Sequence, residues 1–353
     1  MSVSVLPLKQ LLNLTLEQCI TPPQDNMTYP CLFQLSATEL SVDTRCITHE
    51  FKIITNQSET ITLPDCKHTE LVVFSDMTIN VLIDLLQHCH VSLQSLQTIN
   101  SRNNLTSYRF NVTCDQLDKS RQLLADFSLA HHVEAALLVH APSLTTPGLL
   151  VMDMDSTTIE IECIDEIAKL AGVGEQVAAV TELAMQGQLD FAQSLHQRVA
   201  TLANAPEKIL SDVAKNIPLM PGLETLITAL KQHHWRIAIA SGGFTYFADH
   251  LKDMLDLDAA YANVLEISEK QLTGKVLGGV VDAQAKANTL GTLSAKYDIP
   301  TNQTVAMGDG ANDLVMMAAA HLGVAYKAKP IVLAQADTSI NHSGLDCLLH
   351  WLG

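Results

Sequence analysis

The sequence predicts an α/β protein, a doubly wound parallel sheet carrying a helical insertion and preceded by a smaller α+β region. Three observations predict it. From residue 149 onward short apolar runs alternate with helix-like stretches; no strand-like run occurs from Cys163 to Asn216; and residues 69–140 follow the order βαββαβ. The chain has 353 residues, 47% hydrophobic and 17% charged, which fits two or three packed units and excludes a disordered chain.

Residues 1–68 form a first α+β section with no assignable fold. A helix-like stretch runs from Pro7 to Cys19, and short apolar pieces follow at Cys31–Leu35 and Phe51–Thr55, separated by turns with Pro22, Pro23 and Pro30. Residues 69–140 are clearer. Glu70–Ser75, Val91–Ile99, Ser107–Val112 and Val133–Val139 read as strands, and Thr78–Gln87 and Leu117–Phe127 as helices. That succession is the split ferredoxin-like arrangement and resembles an ACT-like small-molecule-sensing module, although no residue motif carries the likeness. A structural or dimerising role is equally compatible, and a homodimer through the N-terminal region is the expected assembly. Ala141–Gly148 holds two prolines among small polar residues and reads as a linker.

Residues 149–353 form the second domain. Leu149–Met152, Arg236–Ala240, Gln303–Met307 and Leu322–Ala325 are strand-like with helices between them, a Rossmann-like succession. Ile164, Ile167, Leu170, Val177, Val180 and Leu183 recur at three- and four-residue spacing, so residues 163–216 form a helical cap between the first two strands.

Composition narrows the partners. Twenty-one basic against 38 acidic side chains leave a net charge of −17, which argues against non-specific nucleic-acid binding. No apolar run approaches the ~18 residues of a membrane span, and the N-terminus lacks the basic start of a signal peptide. The eight cysteines form no C-x-x-C pair and read as buried thiols, so a cytoplasmic protein is expected. His88-Cys89-His90 lacks matching ligands elsewhere and reads as surface or loop.

The chemistry gathers at strand ends, where open parallel sheets bind ligands. The first strand runs into Asp153-Met154-Asp155-Ser156-Thr157, whose two carboxylates can share a cation or a proton. Alone, this D-x-D is equally an Asx turn with helix-capping residues. Two further strand ends shift the balance. Ser241-Gly242-Gly243 offers a hydroxyl and close backbone approach to an anion, and Gly308-Asp309-Gly310-Ala311-Asn312-Asp313 adds two carboxylates. Between them lies Lys286. Clustered carboxylates call for a hard cation such as Mg²⁺. The chain has no G-x-x-x-x-G-K-[ST] phosphate loop and no complete G-x-G-x-x-G, so phosphoryl transfer to a carboxylate is the chemistry indicated.

DMDST, SGG, the downstream lysine and GDGANDL, in this order, resemble the four motifs of the haloacid dehalogenase-like (HAD-like) phosphatases. DMDSTTIEIECIDEIAKLAG and TELAMQGQLDFAQSLHQRVATL are similar, more narrowly, to the family's phosphoserine-hydrolysing members. The likeness runs from about Pro147 to at least Lys329. It implies Asp153 as nucleophile and Asp155 as general acid/base, with Mg²⁺ held by Asp153, Asp309 and the Asp155 carbonyl. Ser241, Gly242, Gly243, Lys286 and Asn312 would hold the phosphoryl group, and Asp313 would orient Lys286 or metal-bound water. Glu162 and Arg198 would take the ammonium and carboxylate of phosphoserine, and Met185 and Phe191 would wall the lid. Each of these last four is by itself an ordinary solvated or helix-packing residue. The implied activity is Mg²⁺-dependent hydrolysis of phosphoserine, the last step of serine biosynthesis. The alternatives are a phosphotransferase using a small alcohol in place of water, or an amino-acid-sensing protein.

Overall fold

The computed structural model describes residues 2–20, 30–46, 55–58 and 69–353, and the chain divides into two compact units. The first is built on strands β1 (Ser2–Pro7), β2 (Cys31–Leu35), β3 (Glu39–Asp43), β4 (Thr55–Ser58), β5 (Thr69–Phe74), β6 (Val91–Arg102), β7 (Leu105–Cys114) and β8 (Ala135–Val139). They form one sheet in the order β4-β1-β3-β2-β6-β7-β5-β8. Helices α1 (Leu16–Cys19), α2 (Ile79–His88) and α3 (Leu117–His131) complete it. β5-α2-β6-β7-α3-β8 pair in the antiparallel 2-3-1-4 order of a split βαββαβ unit. β6 and β7 are joined through Asn103 and Asn104, both at positive φ (50° and 59°), the left-handed conformation that a two-residue hairpin turn requires.

The N-terminal strands are no separate body, because β2 pairs antiparallel with β6 (Cys31 opposite Leu96) and extends the same sheet. The helix expected over Pro7–Cys19 is corrected: β1 ends at Pro7, a 3-10 turn covers Leu8–Gln10, and α1 begins only at Leu16. The alternating Ser-Val-Ser-Val favours a strand, and a Thr15–Gln18 capping box restarts the helix. Of the expected piece Phe51–Thr55, residues 51–54 lie outside the described residues.

The second unit holds β9 (Leu149–Met152), β10 (Arg236–Phe244), β11 (Ala259–Ser268), β12 (Gln271–Leu277), β13 (Thr304–Gly308) and β14 (Leu322–Tyr326), in the order β12-β11-β10-β9-β13-β14. All neighbours are parallel except β11 and β12. The central β9 is wholly buried, as a strand covered on both faces must be. Between β9 and β10 the chain first forms four helices, α4 (Cys163–Ala171), α5 (Gly174–Met185), α6 (Phe191–Thr201) and α7 (Lys208–Ala214), before α8 (Leu223–Gln232) leads into β10. α9 (Thr245–Leu255), α10 (Ala283–Lys296), α11 (Leu314–Ala319) and α12 (Pro330–Leu333) follow. Residues 142–148 belong to this unit and are fastened to it. Trp235 Nε1 donates to the Leu144 carbonyl at 3.0 Å, and Ser143 N donates to Gln303 Oε1 at 2.8 Å. No helix among the described residues is long and apolar enough to cross a membrane.

The expected C-terminal boundary is also corrected: Leu333–Ser343 and Cys347–Gly353 belong to the first unit. They carry β15 (Thr338–Ile340) and α13 (Leu348–Trp351). Buried Arg109, paired with Glu70, donates to the carbonyls of His350, Trp351 and Leu352 at 2.8–3.2 Å. Arg102 reaches those of Leu349, Leu352 and Gly353. These guanidinium groups satisfy carbonyls that a helix end leaves unpaired. Glu134 Oε1 accepts from the amides of Asn341, His342 and Ser343. The physical reason for the reassignment is therefore a set of buried polar contacts with partners over 200 residues apart, which no local pattern signals.

Candidate active site

Three adjacent strands deliver the site. Asp153 leaves β9 with its N–H still bonded to the Met307 carbonyl of β13 (2.9 Å), so the strand pairing fixes its backbone. The following turn closes on itself: Thr158 Oγ1 donates to the Asp153 carbonyl at 2.5 Å, and Thr158 and Ile159 amides donate to Met154 O. Asp155 Oδ1 accepts from Cys163 N at 3.0 Å. Ser156 sits at φ +57° and donates its hydroxyl to Glu162 Oε1 at 2.8 Å, which ties Glu162 to the turn that carries Asp153 and Asp155.

β10 ends in Ser241-Gly242-Gly243, where Gly243 N donates to Ser241 Oγ at 2.9 Å. A Cβ on Gly243 would lie 2.7 Å from Asp155 Oδ2, so only glycine allows this approach. β13 ends in Gly308, and Asp313 folds back to accept from Gly310 N at 3.0 Å through Oδ2. Its Oδ1 accepts from Lys286 Nζ at 2.7 Å. Lys286 projects from α10, which Asp282 caps, and also pairs with Asp153 Oδ1 at 2.8 Å.

Lys286 is fully buried; burial opposes its charge, but Asp153 and Asp313 outweigh that and hold its pKa above the ordinary lysine range. Burial, then the Glu162 carboxylate, pushes Asp155 up to about 8. Burial and the Asp153 charge raise Asp309 to about 6, against which Lys329 is the strongest opposing cation. Glu162 is likewise raised by burial. Oxygens of Asp153, Asp309 and Asp313 all lie within 4.8 Å of one another. Both oxygens of Asp313 are committed, to Lys286 and to Gly310 N, so Asp153 and Asp309 are the carboxylates left for a cation. A single ammonium among these acids leaves excess negative charge, and an all-oxygen donor set fits a hard divalent ion.

A cavity of about 340 Å³ opens over these strand ends. The structure brings Asp153, Asp155, Glu162, Phe191, Arg198, Ser241, Gly242, Gly243, Asp309 and Asn312 to its wall, with Lys286 and Asp313 buried behind Asp153. Phe191 faces Gly242, where a Cβ would lie 2.6 Å from its ring. Arg198 Nε is buried without a partner, and burial lowers the guanidinium pKa against the pull of Asp165, Glu162 and Asp155. Met185 closes α5, and its side chain lies outside the described residues. Three polar side chains of the wall escaped the sequence reading: Asp165, Thr181 and Lys329. Asp165 was traceable as the residue three past Glu162, on the same helix face. Lys329 follows a fourth strand, β14, whose end carries no motif of its own.

A model of the haloacid dehalogenase-like hydrolases matches residues 148–321. The chain is 61% identical over 216 residues to a phosphoserine phosphatase of Vibrio cholerae, a match covering 61% of this chain and 66% of that protein. The crystal structure of a probable phosphoserine phosphatase from Vibrio cholerae, in unliganded form, is similar with a TM-score of 0.67 and 46% identity, covering 82% of this chain and 88% of that one. A phospho-aspartyl intermediate analogue of phosphoserine phosphatase is similar with a TM-score of 0.56 and 39% identity, covering 59% of this chain and 100% of that one.

Proposed function

The chain belongs to the phosphoserine phosphatases of the haloacid dehalogenase-like hydrolase family, and from that premise we propose that its cavity hydrolyses O-phospho-L-serine through an aspartyl-phosphate on Asp153. The observation that carries this reading is the buried Lys286 bridging Asp153 and Asp313 while Asp155, two residues along, favours its protonated form. Lys286 pairs with the Asp153 carboxylate and holds it in place. Asp153 attacks phosphorus; the bond from phosphorus to the seryl oxygen breaks, and Asp155 gives its proton to that oxygen. Asp155 then takes a proton from water as the water attacks phosphorus, phosphate departs, and both carboxyl groups return to their starting states.

Ser241 Oγ accepts from Gly243 N, which turns its own proton outward to donate to a phosphoryl oxygen. Asn312 adds a donor at the same wall, and Asp313 holds Lys286 in place. Glu162 suits the substrate ammonium and Arg198, with its unpartnered buried Nε, the carboxylate. Asp153 and Asp309 would hold Mg²⁺, with the Asp155 carbonyl as the family resemblance implies. The ion would neutralise charge on the phosphoryl oxygens. The cysteines form no C-x-x-C pair, which supports a cytoplasmic setting.

The test is orthophosphate release from phosphoserine and from phosphoethanolamine, which lacks the carboxylate, with Mg²⁺ present. Phosphoserine should be the better substrate, and Asp153→Asn should abolish turnover and trapping of a phospho-enzyme. Normal turnover by that variant overturns the nucleophile assignment.

A further inference from the structure

We propose that Lys329 captures the phosphate group of the substrate at the cavity mouth and retains the phosphate product there until it leaves, a task separate from that of buried Lys286. The inference rests on the phosphatase reading above and adds a residue to it.

Its position comes from the fold. β14 lies beside β13, and the turn beyond it returns to the site, where Lys329 N donates to the Asp309 carbonyl at 3.4 Å. Pro330 follows directly, and a residue before proline is confined to extended backbone. Bond and proline together fix where the side chain starts, and it lines the cavity with Asp309 and Asn312.

Its charge is available. Lys286 is enclosed between Asp153 and Asp313, and Arg198 stands on the helical side of the cavity, in the place suited to a carboxylate. Lys329 is exposed, and among the described residues it forms no ion pair. A phosphate dianion approaching this chain meets a net charge of −17 and a wall of carboxylates. A flexible cation on the rim offsets that repulsion where it is strongest, which raises the capture rate and weakens with salt. The same charge attracts the released phosphate, so capture and product retention share one residue.

The test compares full-length wild-type protein with Lys329→Met and Lys329→Arg at saturating Mg²⁺. Lys329→Met should lower kcat/KM for phosphoserine about three- to tenfold, with the loss falling on KM, and should flatten its dependence on ionic strength. Inhibition by inorganic phosphate should weaken in parallel, and calorimetric titration with inorganic phosphate should show the same loss without turnover. Lys329→Arg should restore all of these to within about twofold, since the charge is kept. Wild-type KM, salt dependence and phosphate binding in Lys329→Met would overturn the proposal. So would a loss confined to kcat, or one abolished by more Mg²⁺, since either places Lys329 in the chemistry or on the cation. If the wild-type protein released no phosphate from phosphoserine, the phosphatase reading itself would fail first.

Discussion

Two residues apart on one turn, Asp153 and Asp155 divide the proposed reaction because their surroundings differ. Asp153 faces the Lys286 ammonium, whereas Asp155 faces the Glu162 carboxylate and, among the described residues, has no cation within salt-bridge distance. An acid needed as proton donor should stay protonated at neutral pH, and a pKa of about 8 achieves that. Accordingly kcat/KM should fall as pH rises past about 8, and a profile flat to pH 10 would remove Asp155 as the acid. Stability gives a second readout. The folded protein holds this proton between pH 3.8 and about 8, where the unfolded chain has released it, so this group makes stability fall as pH rises through that window. Asp155→Asn should therefore raise the melting temperature at pH 8 in EDTA while destroying activity; an unchanged or lower value counts against the burial argument. These residues were legible because they stand at or just beyond the end of an apolar run, as Ser241 and Asp309 also do. Asp165 and Lys329 were not, since an isolated charge on a helix or turn looks like any solvated residue.

At the level of elements, β9, β10, β13 and β14 announced themselves as apolar runs because the sheet buries them. β11 and β12 did not. Their exposed Tyr261, Val264, Ile267 and Leu277 stand among polar residues, and the pair lies at the sheet edge, so the sequence carries neither a buried run nor a clean alternation. The β10 end shows what an element contributes to chemistry. Its last residues approach both the Asp153–Asp155 turn and α6 so closely that side chains are excluded at Gly242 and Gly243. Gly243→Ala would set a methyl group 2.7 Å from Asp155 Oδ2 and Met154 Cε. We expect a loss of about tenfold or more in kcat/KM, since displacing a reacting group by ~1 Å costs up to ~100-fold, with a circular-dichroism spectrum like the wild type's. Full activity in that variant would show that the turn yields easily.

For the molecule as a whole, the succession of strands and helices revealed two kinds of architecture but not the path of the chain between them. Periodicity is local, and the residues tying 347–353 to the first unit act across more than 200 positions. Leu348, Leu349, Trp351 and Leu352 are all essentially buried. Removing residues 347–353 should destabilise the first unit by roughly 5 kcal/mol or more, from lost apolar burial and from Arg109 left without its carbonyl partners. Amide hydrogen exchange across β5–β8 would report this, and wild-type protection in the truncated chain would contradict it.

The capture of Leu352 by Arg109 spans 243 positions, and it bears on time as well as stability. At roughly 5–20 residues per second, a ribosome needs on the order of 10–50 s to travel from one partner to the other. Throughout that interval Arg102 and Arg109 wait for their carbonyl partners, while the whole of the second unit is made and free to fold. The part of the protein that is synthesised first is therefore the part that is finished last.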